Sequence, residues 1–160
     1  MKDAFSIGVL DDIKNELVAV YFHDNKLYIY TGKYNFFYEG DDFAKFLSSN
    51  KIICHDIKAW SRDYNFECEF DTMLAAYLAS PSDSSYGLDS LCIKYLGTEF
   101  KHEHGAQLIY ELYRVLESEL EKIDAKKILT DIEIPLAKVL SSMEKEGFLV
   151  DTEGLKSYSE

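Results

Sequence analysis

The residues best suited to chemistry in this sequence are carboxylates and histidines. Asp56, Asp63 and Asp71 lie close enough in sequence to be weighed as a cluster for a hard divalent cation, which takes oxygen ligands. Asp71, however, stands just before the helical run TMLAAYLA, where an aspartate side chain caps free backbone N–H groups. Asp63 falls on the solvent side of a short helix. His102 and His104, with Glu99 and Glu103, form a second small group, but side chains two residues apart diverge on a helix, which disfavours a shared metal. His23 and His55 end strands and read as surface or hydrogen-bonded structural residues. Cys54, Cys68 and Cys92 are odd in number and contain no CxxC, so they read as reduced core cysteines rather than a disulfide framework or zinc knuckle. Lys126 and Lys127 read as a solvated helix end. A glycine-rich phosphate loop and a G-x-S-x-G nucleophile turn are both missing from the sequence.

The elements that would position these groups must come from a chain of 160 residues with 47% hydrophobic content. A chain of this size buries roughly 68–70% of its unfolded surface and needs no disulfide or metal to fold. It carries 17 Lys and Arg against 29 Asp and Glu, a net charge of −12. That balance repels phosphate at long range and argues against a free-standing nucleic-acid binder, whose affinity comes from basic side chains. No apolar run reaches the ~18 residues of a membrane-spanning helix, and the N-terminus lacks a signal-peptide pattern. The many tyrosines and phenylalanines follow strand alternation or helix-core spacing.

Strands dominate the first third. Ala4 to Leu10 is a short apolar run. Leu17 to His23 (LVAVYFH) and Lys26 to Tyr30 (KLYIY) flank an Asp24–Asn25 turn and read as a hairpin, which Asn35 to Tyr38 extends. Asp41 caps a helix expected over Asp42 to Ser48. Lys51 to His55 reads as a buried strand, Ile57 to Tyr64 as a helix, and Glu67 to Phe70 as a strand. A helix over Thr72 to Ala79 follows, then a loop through Pro81 to Gly87, then a helix from Leu88 to Leu96 closed by Gly97. Leu108, Ile109, Leu112, Leu116, Leu120 and Ile123 form one stripe of a long helix. A further helix runs from about Lys126 to Glu146, with a kink or break expected at Pro135 and a stop at Gly147. Phe148 to Val150 is expected extended, and Asp151 caps a last helix. Strands followed by alternating strand and helix and then long helices give an α/β fold, one sheet with helices on both faces.

Two stretches then resemble bacterial DNA polymerase I, the family A polymerases. Phe70 to Leu78 (FDTMLAAYL) followed by Leu88 to Leu96 (LDSLCIKYL) looks like the 3′–5′ exonuclease domain. Asp131 to Asp151 looks like the segment joining that domain to the polymerase thumb, with Ile132, Glu133, Pro135, Leu136, Met143, Glu144, Gly147 and Asp151 at the family's spacing. The resemblance implies a ribonuclease H-like fold, a mixed central sheet flanked by helices and followed by long helices. It implies an exonuclease-like domain over 1–125, and a connecting helix with the start of the thumb over 126–160. Because the chain stops within a helix, it reads as part of something longer.

Exonucleases of this family use two divalent metals, held by Asp-x-Glu on the first strand, an Asp in the middle of the fold and Tyr-x-x-x-Asp on a late helix. Aligned on Phe5, the first-strand positions fall on Ser6 and Gly8, with Asp11 and Asp12 beyond the strand. In ICHDIKAWSRDY, Asp56 takes the family's Asn position, Lys58 its Lys, and Trp60 its metal-binding Asp. On the late helix the positions fall on Lys101 and Gly105. The resemblance therefore implies a vestigial exonuclease with no catalytic, metal-binding or cofactor-binding residue of its own. Magnesium is expected only in the polymerase part of a longer parent. That parent would be a cytoplasmic DNA-directed DNA polymerase acting in replication and repair. This chain would support the polymerase domain of the same polypeptide, touching DNA weakly or only through it, as a monomer away from membranes. The alternatives are an active proofreading exonuclease with relocated ligands and a stand-alone interaction module.

Overall fold

The computed structural model describes residues 5–6, 13–40, 43–147 and 149–159. Among the described residues six strands form one mixed sheet: β1 (Phe5–Ser6), β2 (Leu17–His23), β3 (Lys26–Tyr30), β4 (Asn35–Glu39), β5 (Lys51–Cys54) and β6 (Cys68–Asp71). Their order across the sheet is β1-β4-β3-β2-β5-β6. β2, β3 and β4 run antiparallel to their neighbours in that meander, while β5 and β6 add in parallel on the other side of β2. The hairpin turn at Asp24 and Asn25 has positive φ at both residues (48° and 60°), the primed turn whose twist matches the strands it joins. The Lys51–His55 run forms its strand over Lys51–Cys54, and β6 begins at Cys68, one residue later than the pattern suggested.

Period-two alternation sends the two faces of β2 into two cores. Val18 and Val20 pack with Leu27, Ile29, Phe43, Phe46, Leu47, Ile52 and Ile57 on one face. Ala19 packs with Ile53, Phe70, Ile109, Leu112 and Leu116 on the other. The first face is covered by α1 (Ala44–Ser48), α2 (Ile57–Trp60) and part of α7 (Ile134–Glu146). The second is covered by α3 (Thr72–Ala79), α4 (Leu88–Leu91) and α5 (Gly105–Lys122). α3 has the expected bounds. Asp41 and Asp42 lie outside the described residues, and α1 starts at Ala44 after Phe43.

Three expectations need correction. α2 stops at Trp60, and Ser61 to Asp63 turn instead of continuing the helix, because Tyr64 and Phe66 are drawn back to the sheet face. Ile123 leaves the α5 stripe: the helix ends at Lys122 and Ile123 is exposed, whereas Leu108, Ile109, Leu112, Leu116 and Leu120 are buried. The regular helix expected over Lys126 to Glu146 is divided into α6 (Lys126–Ile128), a wide π turn (Leu129–Glu133) and α7. The irregularity expected at Pro135 takes the form of that π turn, which ends just before the proline and accommodates its missing N–H without parting the helix. A second π turn (Cys92–Leu96) follows α4 and is closed by Gly97 at φ 65°.

Gly147 (φ 70°) ends α7, donating its N–H to the Met143 carbonyl. Phe148 lies outside the described residues. Asp151 accepts from the Gly154 N–H at 2.9 Å and caps α8 (Thr152–Ser159). The cysteines are free thiols, and Cys54 and Cys68, far apart in sequence, meet across β5 and β6 with sulfurs 3.6 Å apart. Among the described residues no helix is long and apolar enough to cross a membrane.

Candidate functional site: a cleft at the ends of β2 and β5

The crossover from the antiparallel half of the sheet to its parallel half lies between β2 and β5. Strand ends at such a switch open a crevice where α/β proteins place their ligands. Here the crevice is lined by Val20, Tyr21 and Phe22 of β2, His55 and Asp56 after β5, Ala59 and Trp60 of α2, Leu88 at the head of α4, and Ile109 of α5. The start of α5 closes it from above. A Cβ built on Gly105 would stand 2.3 Å from Cδ1 of Tyr21.

Of the three groups of positions inferred from sequence, the structure therefore brings two together, Trp60 and Gly105, around Tyr21. It does not bring the third. The backbone of Ser6 is in β1, at the far edge of the sheet, with β4, β3 and β2 between it and β5. At ~4.8 Å per strand, it is roughly 19 Å from β5. Gly8, Asp11 and Asp12 lie outside the described residues. The strand that faces Trp60 and Gly105 is β2, and the residues on its α5 side are Ala19, Tyr21 and His23. Counting strands from the N-terminus missed this, because the edge strand β1 precedes the central one. The signal available was the LVAVYFH run itself, since the strand opening a hairpin is the one a later crossover can flank.

Aromatic and imidazole rings occupy the position. Tyr21 Oη lies 2.7 Å from His102 Nδ1. His102 stacks on His23 with ring centroids 3.7 Å apart and planes 5° from parallel. Phe100 packs edge-on against Tyr21 at 5.4 Å. Burial, with Asp89 and Asp24 nearby, holds the Tyr21 hydroxyl above its ordinary pKa, so it stays protonated as a hydrogen-bonding group. His104 points elsewhere, into a separate pocket with Glu99, Lys101, Gln107 and Glu111, and its Nδ1 is buried with no partner. The divergence of the two histidines follows from their spacing. Trp60 turns toward Phe66 (6.0 Å, edge-on) and Tyr64 (6.1 Å), so it fills the α2 side of the cleft.

Two of the three acidic candidates, Asp71 and Asp56, are committed to the backbone. Asp71 is buried and accepts from the N–H groups of Met73 and Leu74 at 2.8 and 2.9 Å, capping α3 as its sequence position indicated, and also from the Ile57 N–H at the start of α2. Burial raises its pKa to about 6, against the pull of those three N–H groups. Asp56, at φ 61°, caps α2 through the Ala59 N–H. Asp63 is exposed in the following turn. His55 Nδ1 meets Thr72 Oγ1 at 2.9 Å, and burial lowers its pKa to about 4, so it is neutral. Among the described residues no three acidic, histidine or cysteine side chains are grouped as metal ligands. A pair of hard divalent ions needs several convergent carboxylates. The aligned positions hold a phenol (Tyr21), an indole (Trp60) and a glycine without a side chain (Gly105). Asp56, the one carboxylate among the crevice residues described, caps α2, so the residues present do not fit that pair.

The architecture, with its mixed sheet, crossover and long trailing helices, is that of the ribonuclease H-like 3′–5′ exonucleases. NrnC of Brucella melitensis solved with bound Mg²⁺ superimposes with a TM-score of 0.68 at 17% identity, over 92% of this chain and 95% of that one. In sequence the chain is similar to bacterial DNA polymerase I. It is 30% identical to the Caldicellulosiruptor bescii protein over 149 residues and 29% identical to the Mycobacterium leprae protein over 137, which is 78% and 69% of this chain. It spans 17% and 15% of the length of those relatives. The POL domain of Pol1 from M. smegmatis, in complex with DNA primer-template and dNTP, superimposes with a TM-score of 0.76 at 25% identity, over 88% of this chain and 30% of that one. No family model matches the chain.

Proposed function

We propose that this chain is a catalytically inactive exonuclease-fold domain of a DNA polymerase I, retained as mechanical support for a polymerase domain in the same polypeptide. The observation that carries this reading is the identity of the residues where β2, α2 and α5 converge: Tyr21, Trp60 and Gly105 in place of metal-binding carboxylates. Residues 1–125 form the exonuclease-like unit, and 126–160 form the connecting helix and the start of the thumb. The working polymerase would act in DNA replication and repair in the cytoplasm, with magnesium held by its own residues. This chain would remain monomeric and touch DNA only through that parent.

The connecting helix supports the mechanical role. α7 is tied to the α2 region by four polar contacts: Lys58 to Glu144 at 2.9 Å, Arg62 to Glu144 at 3.9 Å, Lys145 to the Arg62 carbonyl at 3.1 Å, and Lys138 to the Phe66 carbonyl at 2.5 Å. Its buried face holds Ile134, Ala137 and Ser141. Its opposite face carries Leu136, Val139, Leu140 and Met143, and Ile132 of the preceding π turn continues the stripe; all five are between 42% and 62% exposed. A helix apolar on two opposite faces has one more surface to cover than this chain covers. The polymerase domain is the occupant that the similarity to longer polymerases supplies.

The test is degradation of a 3′-labelled single-stranded oligonucleotide by the chain with Mg²⁺ or Mn²⁺. No shortening beyond the metal-free control is expected. Stepwise loss of 3′ nucleotides, abolished by chelation, would overturn the reading in favour of a proofreading exonuclease with relocated ligands.

A further inference from the structure

Beside the crevice, on the outer side of α2, lies a second hollow of about 260 Å³ lined by Phe22, Ala59, Trp60, Asp63 and Tyr64. From this pocket we infer a docking site for a guanidinium-bearing side chain, an arginine on an exposed segment of a partner protein.

The walls are aromatic and braced. Phe22 packs on Phe43 at 5.6 Å, Phe43 on Tyr64 at 4.8 Å, and Tyr64 on Trp60 at 6.1 Å, so the rings form a continuous wall whose far side is the core. Phe22 is nevertheless exposed at 41%, although it comes from a central strand. The rim carries a carboxylate. Among the described residues no ion pair or side-chain hydrogen bond engages Asp63. The two cations of the same segment, Lys58 and Arg62, point the other way, to Glu144 on α7. Asp56, in the adjoining crevice, shares the Phe22, Ala59 and Trp60 walls and adds no positive charge.

Size, charge and shape select the occupant. The hollow is smaller than the ~300–1,000 Å³ of ordinary small-molecule sites, so it suits one side chain rather than a nucleotide. A phosphate would meet Asp63 and Asp56 in a chain of net charge −12. A purely apolar side chain would shield Asp63 from water without a partner, at a cost. A guanidinium satisfies both features: its plane stacks on aromatic faces while its N–H fork pairs with a carboxylate, and tryptophan is the strongest ring partner for a cation. Buried Trp, Tyr and Arg are also the residues that most often dominate protein interfaces.

Trp60 is the sole tryptophan, so its fluorescence reports on the pocket. N-acetyl-arginine amide is titrated against the chain, with N-acetyl-citrulline amide as the uncharged isostere and thymidine monophosphate as the nucleotide probe. The expected result is a saturable change with the arginine compound only. It should weaken roughly three- to tenfold in Asp63→Asn, as expected for loss of a partly desolvated charge contact, and weaken further at high salt. Asp63 is an exposed turn residue, so this variant keeps its fold, checked by an unchanged melting curve. The inference is overturned if no saturable change occurs, if citrulline matches arginine, if Asp63→Asn binds as well as the parent, or if the nucleotide alone saturates the signal. None of these outcomes depends on whether the chain degrades DNA.

Discussion

Gly105, the first residue of α5, lies directly under the ring of Tyr21, with room for a hydrogen atom and no more: a methyl group there would meet Cδ1 at 2.3 Å and Cγ at 2.6 Å. The start of α5 thus docks on β2 through a backbone-to-ring contact. Tyr21 is in turn fixed by His102 at 2.7 Å and Phe100 at 5.4 Å. At this corner of the cleft the space beneath the Tyr21 ring is filled by the backbone of α5.

That contact predicts strong coupling. Gly105→Ala should destabilise the chain by about 1–3 kcal/mol through overpacking. In a Tyr21→Ala background the same change should be neutral or stabilise by up to about 1 kcal/mol, because alanine favours an unobstructed helical position over glycine. Urea midpoints of the four proteins measure this. Additive effects would mean that Tyr21 and Gly105 do not share one space.

Asp71 should be intolerant of a change that preserves shape. Its carboxylate accepts from three backbone N–H groups on two helices. In Asp71→Asn, one amide oxygen can still cap α3, but the amide NH₂ must face the Ile57 N–H or leave it unpaired. A loss of about 1–3 kcal/mol follows for a buried unsatisfied donor. Hydrogen exchange should show the amides of α2 opening before those of α3.

Two buried groups give opposite dependences on pH. His55 has its pKa depressed to about 4 by burial, so its contribution is present above pH 6.5 and is lost as pH falls through 4. At 1.36 kcal/mol per unit, the full swing is about 3 kcal/mol. Asp71, raised to about 6, contributes fully below its ordinary value of 3.8 and loses that contribution as pH rises through 6. Between pH 4 and 6 the two partly cancel. His55→Gln should therefore remove the acid loss and leave a protein that gains stability, relative to the parent, as pH falls from 6.5 to 4. Thermal melts across that range test the sign.

The open face of α7 predicts a split result. Leu136→Glu with Met143→Glu should change the stability of this chain by no more than about 0.5 kcal/mol, as expected for exposed positions. In a longer polypeptide that includes a polymerase domain, the same pair should lower the melting temperature and polymerase activity together. An unchanged long protein would mean that this face is not covered by that domain.

Much of the fold was legible because local chemistry and tertiary structure agreed. The Asp24–Asn25 turn, the Asp71 cap, the Gly97 and Gly147 stops and the FDTMLAAYL helix each follow from a few neighbouring residues. What was not legible depended on the third dimension. Ser6 and Gly8 were aligned by order along the chain, but sheet order puts β1 at the edge and β2 at the centre, so the residues at the cleft are Tyr21 and His23. The π turn over Leu129–Glu133 resolves the Pro135 conflict in a way that helical periodicity does not encode. The approach of Cys54 to Cys68 depends on the register of β5 against β6.

The central claim is that no divalent pair seats where β2, α2 and α5 meet. Anomalous scattering from a crystal grown with manganese tests it most directly. The account predicts no anomalous peak within coordination distance of Tyr21, Trp60 or Gly105. Two manganese ions held there by protein oxygens would contradict it.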